Sequence, residues 1–519
     1  MSTSTWPPWR EALPKDILAS VVVFLVALPL CMGIAIASGL PPAAGLVTGI
    51  VGGIVVGAIS GSPLQVSGPA AGLAVIVWQL VQQFGVAKLG IIILLAGVLQ
   101  LAAGLLRFGQ IFRAVSPAVI HGMLGGIGVL IFASQFHVMV DDVPKGSGIA
   151  NLLSIPAAVM SGVFPLDGST HHLAAFTGLV TIGVLILWLR FAPKRVKIVP
   201  AHLVAVVVAV AVAQLLAFGI KFVSVPANLF ATLTFPNADT FRAIGDPAIL
   251  KAALALAFIA SAETLLCATA TDQRHDGPRT DYDRELVAQG VGNAICGVVG
   301  ALPMTGVIVR STANVEAGAR TRSSAMLHGI WILLLVTIAP FVLALIPVAS
   351  LAAILVYTGY KLVNPLQMKK LWMHGRSEFA IYAVTLVAIV VSDLLTGVMV
   401  GFAVSVAKLI YTFTHLRITT TREGEVHHVH LDGAATFLRL PALAKALERV
   451  PRSGELHVHI EQLSYVDHAA LEVILNWERQ AERAGGRLVL EWEELRGMSL
   501  GVRPRAAVAT RQTAPLVAV

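Results

Sequence analysis

The sequence predicts an α-helical polytopic membrane protein of fourteen transmembrane segments, followed by a small cytosolic α/β domain. Three observations predict it. The 519 residues are 56% hydrophobic and only 13% charged, where a soluble domain carries about 25% charge. Apolar runs long enough to cross ~30 Å of hydrocarbon recur from Ile17 to Thr414. Beyond Thr414, charged and apolar positions alternate instead.

The spans fall near 17–37, 43–60, 67–83, 89–106, 115–135, 172–190, 200–218, 247–270, 285–301, 305–316, 324–345, 348–360, 378–393 and 396–414. The first continues through Pro29 and Gly33 into further spans, so it does not read as a cleaved leader. The net charge of +8 follows loop parity rather than forming a nucleic-acid footprint. With a cytoplasmic N-terminus, inner loops hold Arg107, Arg113, Arg190, Lys194, Arg195, Lys197 and the basic runs Arg274–Arg284, Arg320–Arg322 and Lys361–Arg376. Outer loops hold only Lys88, Lys145, Lys221, Arg242 and Lys251. Cys31, Cys267 and Cys296 sit in apolar segments without metal-ligand spacing, which argues against a disulfide framework or a zinc site.

The array divides near residue 240 into two sets of seven, and an odd number per set inverts the second relative to the first. Each set has an interrupted third segment, Gly61–Leu73 and Gly297–Ser311. Gly61, Pro63, Gly68 and Pro69 break a helix entering from the cytoplasm; Gly297, Gly300, Pro303 and Gly306 break one entering from outside. Extended backbone at membrane depth survives only against protein or a water-filled cavity. Two half-helices would then start near the midplane with free N–H groups and positive dipole ends converging, an arrangement that holds an anion. Glycines in one segment alone are better explained by tight helix packing. The matched pair favours the anion site.

Arg310 lies one turn into the second half-helix, where the dipole disfavours a cation. A bound anion, Glu263, or both would compensate it; a plain Arg310–Glu263 pair joining two helices is the simpler alternative. Ser67, Thr305 and Ser311 offer hydroxyl donors to an anion. Glu263 sits well inside the eighth span, and an intramembrane carboxylate is a functional candidate by default. Ionised, it helps hold a cation such as Na⁺ or pairs with Arg310; unpaired, it carries a proton. Alternatively, Ser261, Thr264 and nearby backbone simply hold it. Asp393 reads as an interfacial cap, and His121 and His328 as interfacial residues. Asp272–Glu285 reads as a solvated inner loop, or else a gate or docking site.

In the last hundred residues, Glu425–Leu431 and Glu455–Val466 alternate like strands, and Leu440–Val450 reads as a helix. Ala469–Ala484 is an amphipathic helix ended by Gly485-Gly486, and Arg487–Trp492 a further strand. This order implies a compact α/β domain over 418–500, cytosolic by span parity. The tail 501–519 lacks apolar periodicity and reads as disordered.

Five stretches, VVVFLVALPLCMGIAIASGLPPAAGL (21–46), SGSPLQVSGPAAGL (60–73), AETLLCATATD (262–272), DRELVAQGVGN (283–293) and LPMTGVIVRSTANVEAGARTR (302–322), resemble the SulP (sulfate permease) family. These are bacterial relatives of the eukaryotic solute-carrier anion exchangers and prestin. The resemblance covers about 10–415, and 418–500 is similar to the STAS domain that follows such transporters. It implies a homodimer in the bacterial inner membrane, with seven-plus-seven inverted repeats and an elevator-like core moving against a gate. It implies anion ligands at Ser67, Gly68, Ala70, Ala71, Thr305, Gly306, Val307 and Arg310, with Leu30 and Cys31 of the first span closing one side. Glu263 falls where related transporters carry a sodium ligand or a proton-carrying glutamate, so the resemblance implies coupled H⁺, or Na⁺ near Glu263 and Thr305, with no other cofactor. Two departures stand out. Cys267 replaces a hydroxyl residue of sodium-dependent relatives, and Leu30-Cys31 stands where many members have a glutamine. In the STAS region, His468 replaces the serine of Asp-Ser phosphoproteins, which points to dimerisation or partner binding instead of a phosphorylation switch.

The expected function is secondary active transport of a small oxyanion, sulfate or bicarbonate first. An uncoupled anion channel or uniporter, a dicarboxylate carrier, and a scaffold that positions the STAS domain are the alternatives. No nucleophile–base pair or metal cluster in the sequence supports an enzyme.

Overall fold

The computed structural model describes residues 9–112, 116–145, 147–163, 170–193, 196, 199–224 and 234–490. Arg113, Lys194, Arg195, Lys197, the end of the strand expected at Arg487–Trp492 and the tail 501–519 lie outside these residues. The chain forms two compact units, Met1–Phe402 and Ala403–Val519.

The first unit is built from α1 (Trp9–Ala37), α2 (Pro42–Val51), α3 (Ala71–Phe84), α4 (Val86–Leu105), α5 (Pro117–Met139), α6 (Gly148–Val163), α7 (His171–Phe191) and α8 (Ala201–Leu215). It continues with α9 (Pro247–Asp272), α10 (Tyr282–Val299), α11 (Ile308–Glu316), α12 (Ser323–Ile338), α13 (Val348–Val363), α14 (Pro365–His374), α15 (Arg376–Val391) and the start of α16 (Leu394–Thr414). Among the described residues, α1, α2 with its continuation to Ile59, α4, α5, α7, α9 and α16 are long and apolar enough to cross a membrane. The interrupted segments account for some of the shorter helices.

Helix starts follow local chemistry. Asp246 accepts from the Ala248 N–H and Pro247 opens α9. Asp281 accepts from the Arg284 N–H at the head of α10, which ends at Gly300 in the left-handed region (φ 69°). Asp393 accepts from both the N–H and the hydroxyl of Thr396 and so caps α16. Helices α4 and α10 pack backbone to backbone: a Cβ on Gly97 would lie 2.4 Å from the Ala294 nitrogen.

Several expectations need correction. Helices α6 and α14 occupy stretches read as loops; α6 contains Pro156, and its apolar run is too short to stand out as a span. The eleventh span stops at Ile338, because Pro340 cannot continue the helix, and a short turn Pro340–Leu343 follows. The segment Asp272–Glu285 is not a freely solvated loop. Asp272 is buried and accepts from the N–H and hydroxyl of Thr280, while the Asp281 N–H donates to Gly61 O. His328 is fully buried instead of interfacial, with Nδ1 against Ala325 O and its ring against Gly53.

Between α5 and α6, Asp142 accepts from Lys145 Nζ at 2.9 Å and lies 2.7 Å from His137 Nδ1. Partial burial pushes its carboxyl up, but the Lys145 and His137 hydrogen bonds outweigh burial and hold it below its usual range. A depressed carboxyl stabilises the folded state above its unfolded value, and the contribution vanishes as pH falls through the folded one. Asp142→Asn should therefore melt lower than wild type at neutral pH, by at most about 1 kcal/mol of stability for so accessible a group. The two melting curves should converge in acid. Equal separation at both pH values would contradict this.

The second unit carries a four-stranded sheet in the order β3-β4-β5-β6, built from β3 (Leu416–Glu423), β4 (Val426–Ala435), β5 (Glu455–Val466) and β6 (Arg487–Val489). The preceding pair, β1 (Ser67–Pro69) and β2 (Met304–Gly306), belongs to the first unit. β3–β4 is antiparallel, and the other pairings are parallel. β3 was not expected; its Thr-Thr-Thr run carries no apolar alternation. Helices α17 (Leu440–Glu448) and α18 (His468–Arg483) pack Leu443, Leu447, Leu471, Ile474 and Trp477 into one core with Val429, Leu431, Leu456, Val458 and Ile460. Trp477 Nε1 donates to Leu447 O at 3.0 Å, linking the two helices.

Candidate anion site between two half-helices

β1 runs antiparallel to β2, with Ser67 opposite Gly306, Gly68 opposite Thr305 and Pro69 opposite Met304. Directly after these strands, α3 begins with Ala70 as N-cap and α11 with Val307 as N-cap. Neither cap has a side chain that accepts a hydrogen bond. The first N–H groups of both helices therefore lack intrahelical partners and present positive dipole ends beside the paired strands.

Buried extended backbone must find partners, and polar side chains from three helices supply them. Asn293 of α10 donates to Met304 O at 3.1 Å and accepts from Met304 N at 2.7 Å. Ser311 Oγ accepts from Val66 N, Asn314 Nδ2 donates to Leu64 O, and Thr48 Oγ1 donates to Leu302 O, each at 2.9 Å. Glu285 anchors this support from below. It is fully buried and accepts from Ser60 Oγ at 2.6 Å, Ser62 N at 3.0 Å, Gln65 Nε2 at 2.8 Å and Gln289 Nε2 at 2.9 Å. Gln289 Nε2 also donates to Ser67 Oγ at 2.6 Å.

The expected ligands are brought to one place, though not all with free donors. Gly306 N donates to Thr264 Oγ1 at 3.2 Å, and Val307 N to Val66 O at 2.9 Å. The hydroxyls of Thr305 and Ser311 donate to Gly306 O and Val307 O. These four groups hold the frame in this conformation. Ala70 and Ala71 open α3, where the Leu73 N–H donates back to Ala70 O at 3.1 Å, and the amides directly after each N-cap lack intrahelical partners.

Arg310 is the largest fully buried side chain among the described residues. Its Nη2 donates to Pro69 O at 3.4 Å, whereas Nε and Nη1 have no hydrogen-bond partner. No carboxylate among the described residues lies within ion-pair distance of it, so the alternative of a plain Arg310–Glu263 pair is not formed. The guanidinium approaches Gly68 through Nη1: a Cβ there would sit 2.3 Å from Nη1 and 3.4 Å from Cζ. Cys31 of α1 lies close enough to interact electrostatically with Arg310, and Leu30 is its buried neighbour in the same helix.

Glu263 of α9 faces the other end of the same short stretch. A Cβ on Gly72, in the first turn of α3, would lie 2.6 Å from Oε1 and 2.7 Å from Oε2. Its Oε2 is closed off and has no hydrogen-bond partner, while Ser261 and Thr264 are engaged elsewhere. A guanidinium and a carboxyl group thus flank the start of α3, neither held in an ion pair and each admitted by a glycine. Placed so, an anion can bridge the guanidinium and the helix ends, and a carboxylate beside it can bind or release a cation.

The supporting residues Glu285, Gln289 and Asn293 escaped the reading of the sequence as site residues. Their spacing of four along an apolar span, which puts all three on one helical face, was the available signal.

Residues 13–385 match the family model described as "Sulfate permease family", and residues 418–496 match one described as "Mlab, STAS domain". The chain is 27% identical over 507 residues to "Putative sulfate transporter YvdB" of Bacillus subtilis, covering 92% of this chain and 91% of that protein. It is 24% identical over 509 residues to "Bicarbonate transporter BicA" of Picosynechococcus sp., covering 90% and 86%. In fold it resembles the transmembrane domain of a cyanobacterial bicarbonate transporter BicA, with a TM-score of 0.65 at 23% identity, over 76% of this chain and 100% of that one. It also resembles murine Slc26a9, an anion transporter solved in the inward-facing state, with a TM-score of 0.71 at 16% identity, over 94% and 88%.

Proposed function

The chain belongs to the sulfate permease family, and from that membership we infer that it is a multi-pass secondary transporter for a small inorganic oxyanion, sulfate or bicarbonate. The observation that carries this reading is Arg310, a fully buried guanidinium with two unpartnered nitrogens and, among the described residues, no carboxylate within ion-pair distance. A buried unpaired charge is too costly to keep unless a ligand of opposite charge completes it.

In this account the anion binds against Ser67, Gly68, Ala70, Ala71, Thr305, Gly306, Val307 and Arg310, with Leu30 and Cys31 closing the α1 side. The tetrahedral or planar oxygens of such an anion accept from the guanidinium and the first-turn amides together. Engagement of the Gly306 and Val307 amides by Thr264 and Val66 makes those two residues shape the pocket more than they donate to it. Glu263 couples the cycle, taking up a proton or helping to hold Na⁺ near Thr305 as the anion binds. Fourteen spans in two inverted sets, an elevator movement, a homodimer and a bacterial inner-membrane location with the STAS domain in the cytosol complete the proposal.

The test is uptake of labelled sulfate, bicarbonate and fumarate into proteoliposomes, each under imposed Na⁺ and proton gradients. The expected outcome is saturable uptake of one inorganic oxyanion, driven by one of the two gradients. Currents far above carrier turnover would point to a channel instead, and fumarate alone to a dicarboxylate carrier. In the same assay Glu263→Gln should lose the response to the driving gradient while retaining part of anion exchange. An unchanged gradient response would remove Glu263 from coupling.

A further inference from the structure

The face of the second unit's sheet turned away from α17 and α18 carries four histidines that the proposed anion transport does not use. On β4 and β5, His428 lies in register with His457, and His430 with His459. Two-residue spacing along each strand puts all four on one face. The intervening Val429, Leu431, Leu456, Val458 and Ile460 point the other way, into the core under α17 and α18. On the histidine face the β3 neighbours opposite His428 and His430 are Thr421 and Thr419. None of the four histidines is fully buried, and His430 is exposed.

We propose that His428, His457 and His459, with His430 as a fourth candidate, form a binding site for a divalent transition-metal ion of the zinc class. The geometry carries it. His428 Nδ1 and His459 Nε2 lie 3.0 Å apart, near the ~3.3 Å between adjacent ligands on one tetrahedral zinc with Zn–N bonds of ~2.0–2.1 Å. Two imidazoles sharing such an ion hold their ring centres about 5 Å apart. The observed separations are 5.3 Å for His428–His459 and 5.1 Å for His428–His457. His457 Nε2 is 3.0 Å from Glu455 Oε1. That contact leaves Nδ1 as the ligand atom, in the carboxylate–histidine arrangement that orients metal-binding imidazoles. His430 stacks on His459 with ring centres 4.2 Å apart. Among the described residues no three such side chains are yet placed to hold one ion, so the proposal rests on the His428–His459 pair, joined by a hydrogen bond that the ion would replace, and binding must draw in His457 or His430 as a third ligand. Imidazole ligands suit zinc, copper or nickel and exclude Mg²⁺ and Ca²⁺.

The test uses the untagged full-length protein in detergent, stripped with a chelator and titrated with Zn²⁺ against a chromophoric competitor, with Co²⁺ as a spectroscopic probe. Wild type should bind one Zn²⁺ per protomer and give the visible absorption of tetrahedral Co²⁺. His428→Gln combined with His459→Gln should abolish both signals, and His468→Gln, at the exposed head of α18, should change neither. Glu455→Gln should weaken Zn²⁺ binding about tenfold without touching a ligand. Melting curves of the stripped variants check that the sheet is intact. Absence of stoichiometric Zn²⁺ binding by wild type would overturn the proposal, as would a folded double variant that binds as wild type does.

Discussion

Arg310→Ala should abolish anion uptake and, with it, the stabilisation of the protein by its anion. The guanidinium is fully buried against Gly68, with Nε and Nη1 lacking hydrogen-bond partners and Nη2 making a long 3.4 Å contact to Pro69 O. A hydrogen bond to a charged group is worth about 1.5–3 kcal/mol, so losing one such contact weakens binding by roughly 10–100-fold. The first-turn amides of α3 and α11 remain and keep a residual, weak affinity. Arg310→Lys keeps the charge but loses the planar fork, and should fall between the two. A thermal-shift series with sulfate and bicarbonate reads the effect directly, because a ligand that binds only the folded state raises its melting temperature. Without anion, the alanine variant should melt no lower than wild type, since an uncompensated buried charge is removed. A variant that melts much lower and still transports would mean that Arg310 is a structural residue.

The second large effect is structural. Glu285→Ala strips the acceptor from Ser60 Oγ, Ser62 N, Gln65 Nε2 and Gln289 Nε2 at once. Leaving one buried donor unsatisfied costs about 1–3 kcal/mol, and losing the shared acceptor of several at once is a large share of the roughly 5–15 kcal/mol that holds a typical protein together. The variant should purify as aggregate or with a sharply lowered melting temperature. Glu285→Gln keeps one acceptor oxygen and should be milder. Since Gln289 also holds Ser67, residual folded protein should show weakened anion binding as well. An alanine variant as stable as wild type would remove Glu285 from the frame.

The interruptions were legible because glycine and proline punctuate the chain wherever it must leave a helix. Gly68-Pro69 and Pro303–Gly306 mark the two strands to within a few residues, although the helices start later, at Ala71 and Ile308. The supporting network was not, because its partners lie up to 254 residues apart in sequence, as Thr48 does from Leu302. Arg310 and Glu263 stood out as expensive residues in an apolar setting, yet whether they pair depends on where Gly68 and Gly72 admit them. That is a fact of packing. His328 misled because its position near a helix start resembles an interface, while packing against Gly53 buries it. The small domain was read correctly where strands alternate, at Val426–Ala435 and Glu455–Val466, and missed at β3, where three threonines carry no apolar period.

The central claim is that an anion completes Arg310 between the starting turns of α3 and α11. A cryo-electron microscopy map of the protein in lipid nanodiscs, with selenate replacing sulfate or with saturating bicarbonate, examines it at the atoms concerned. The account predicts anion density within hydrogen-bond reach of the Arg310 guanidinium and of the amides following Ala70 and Val307. A map with that space filled by the Glu263 carboxylate bonded to Arg310, and with the transported anion held elsewhere, would contradict it.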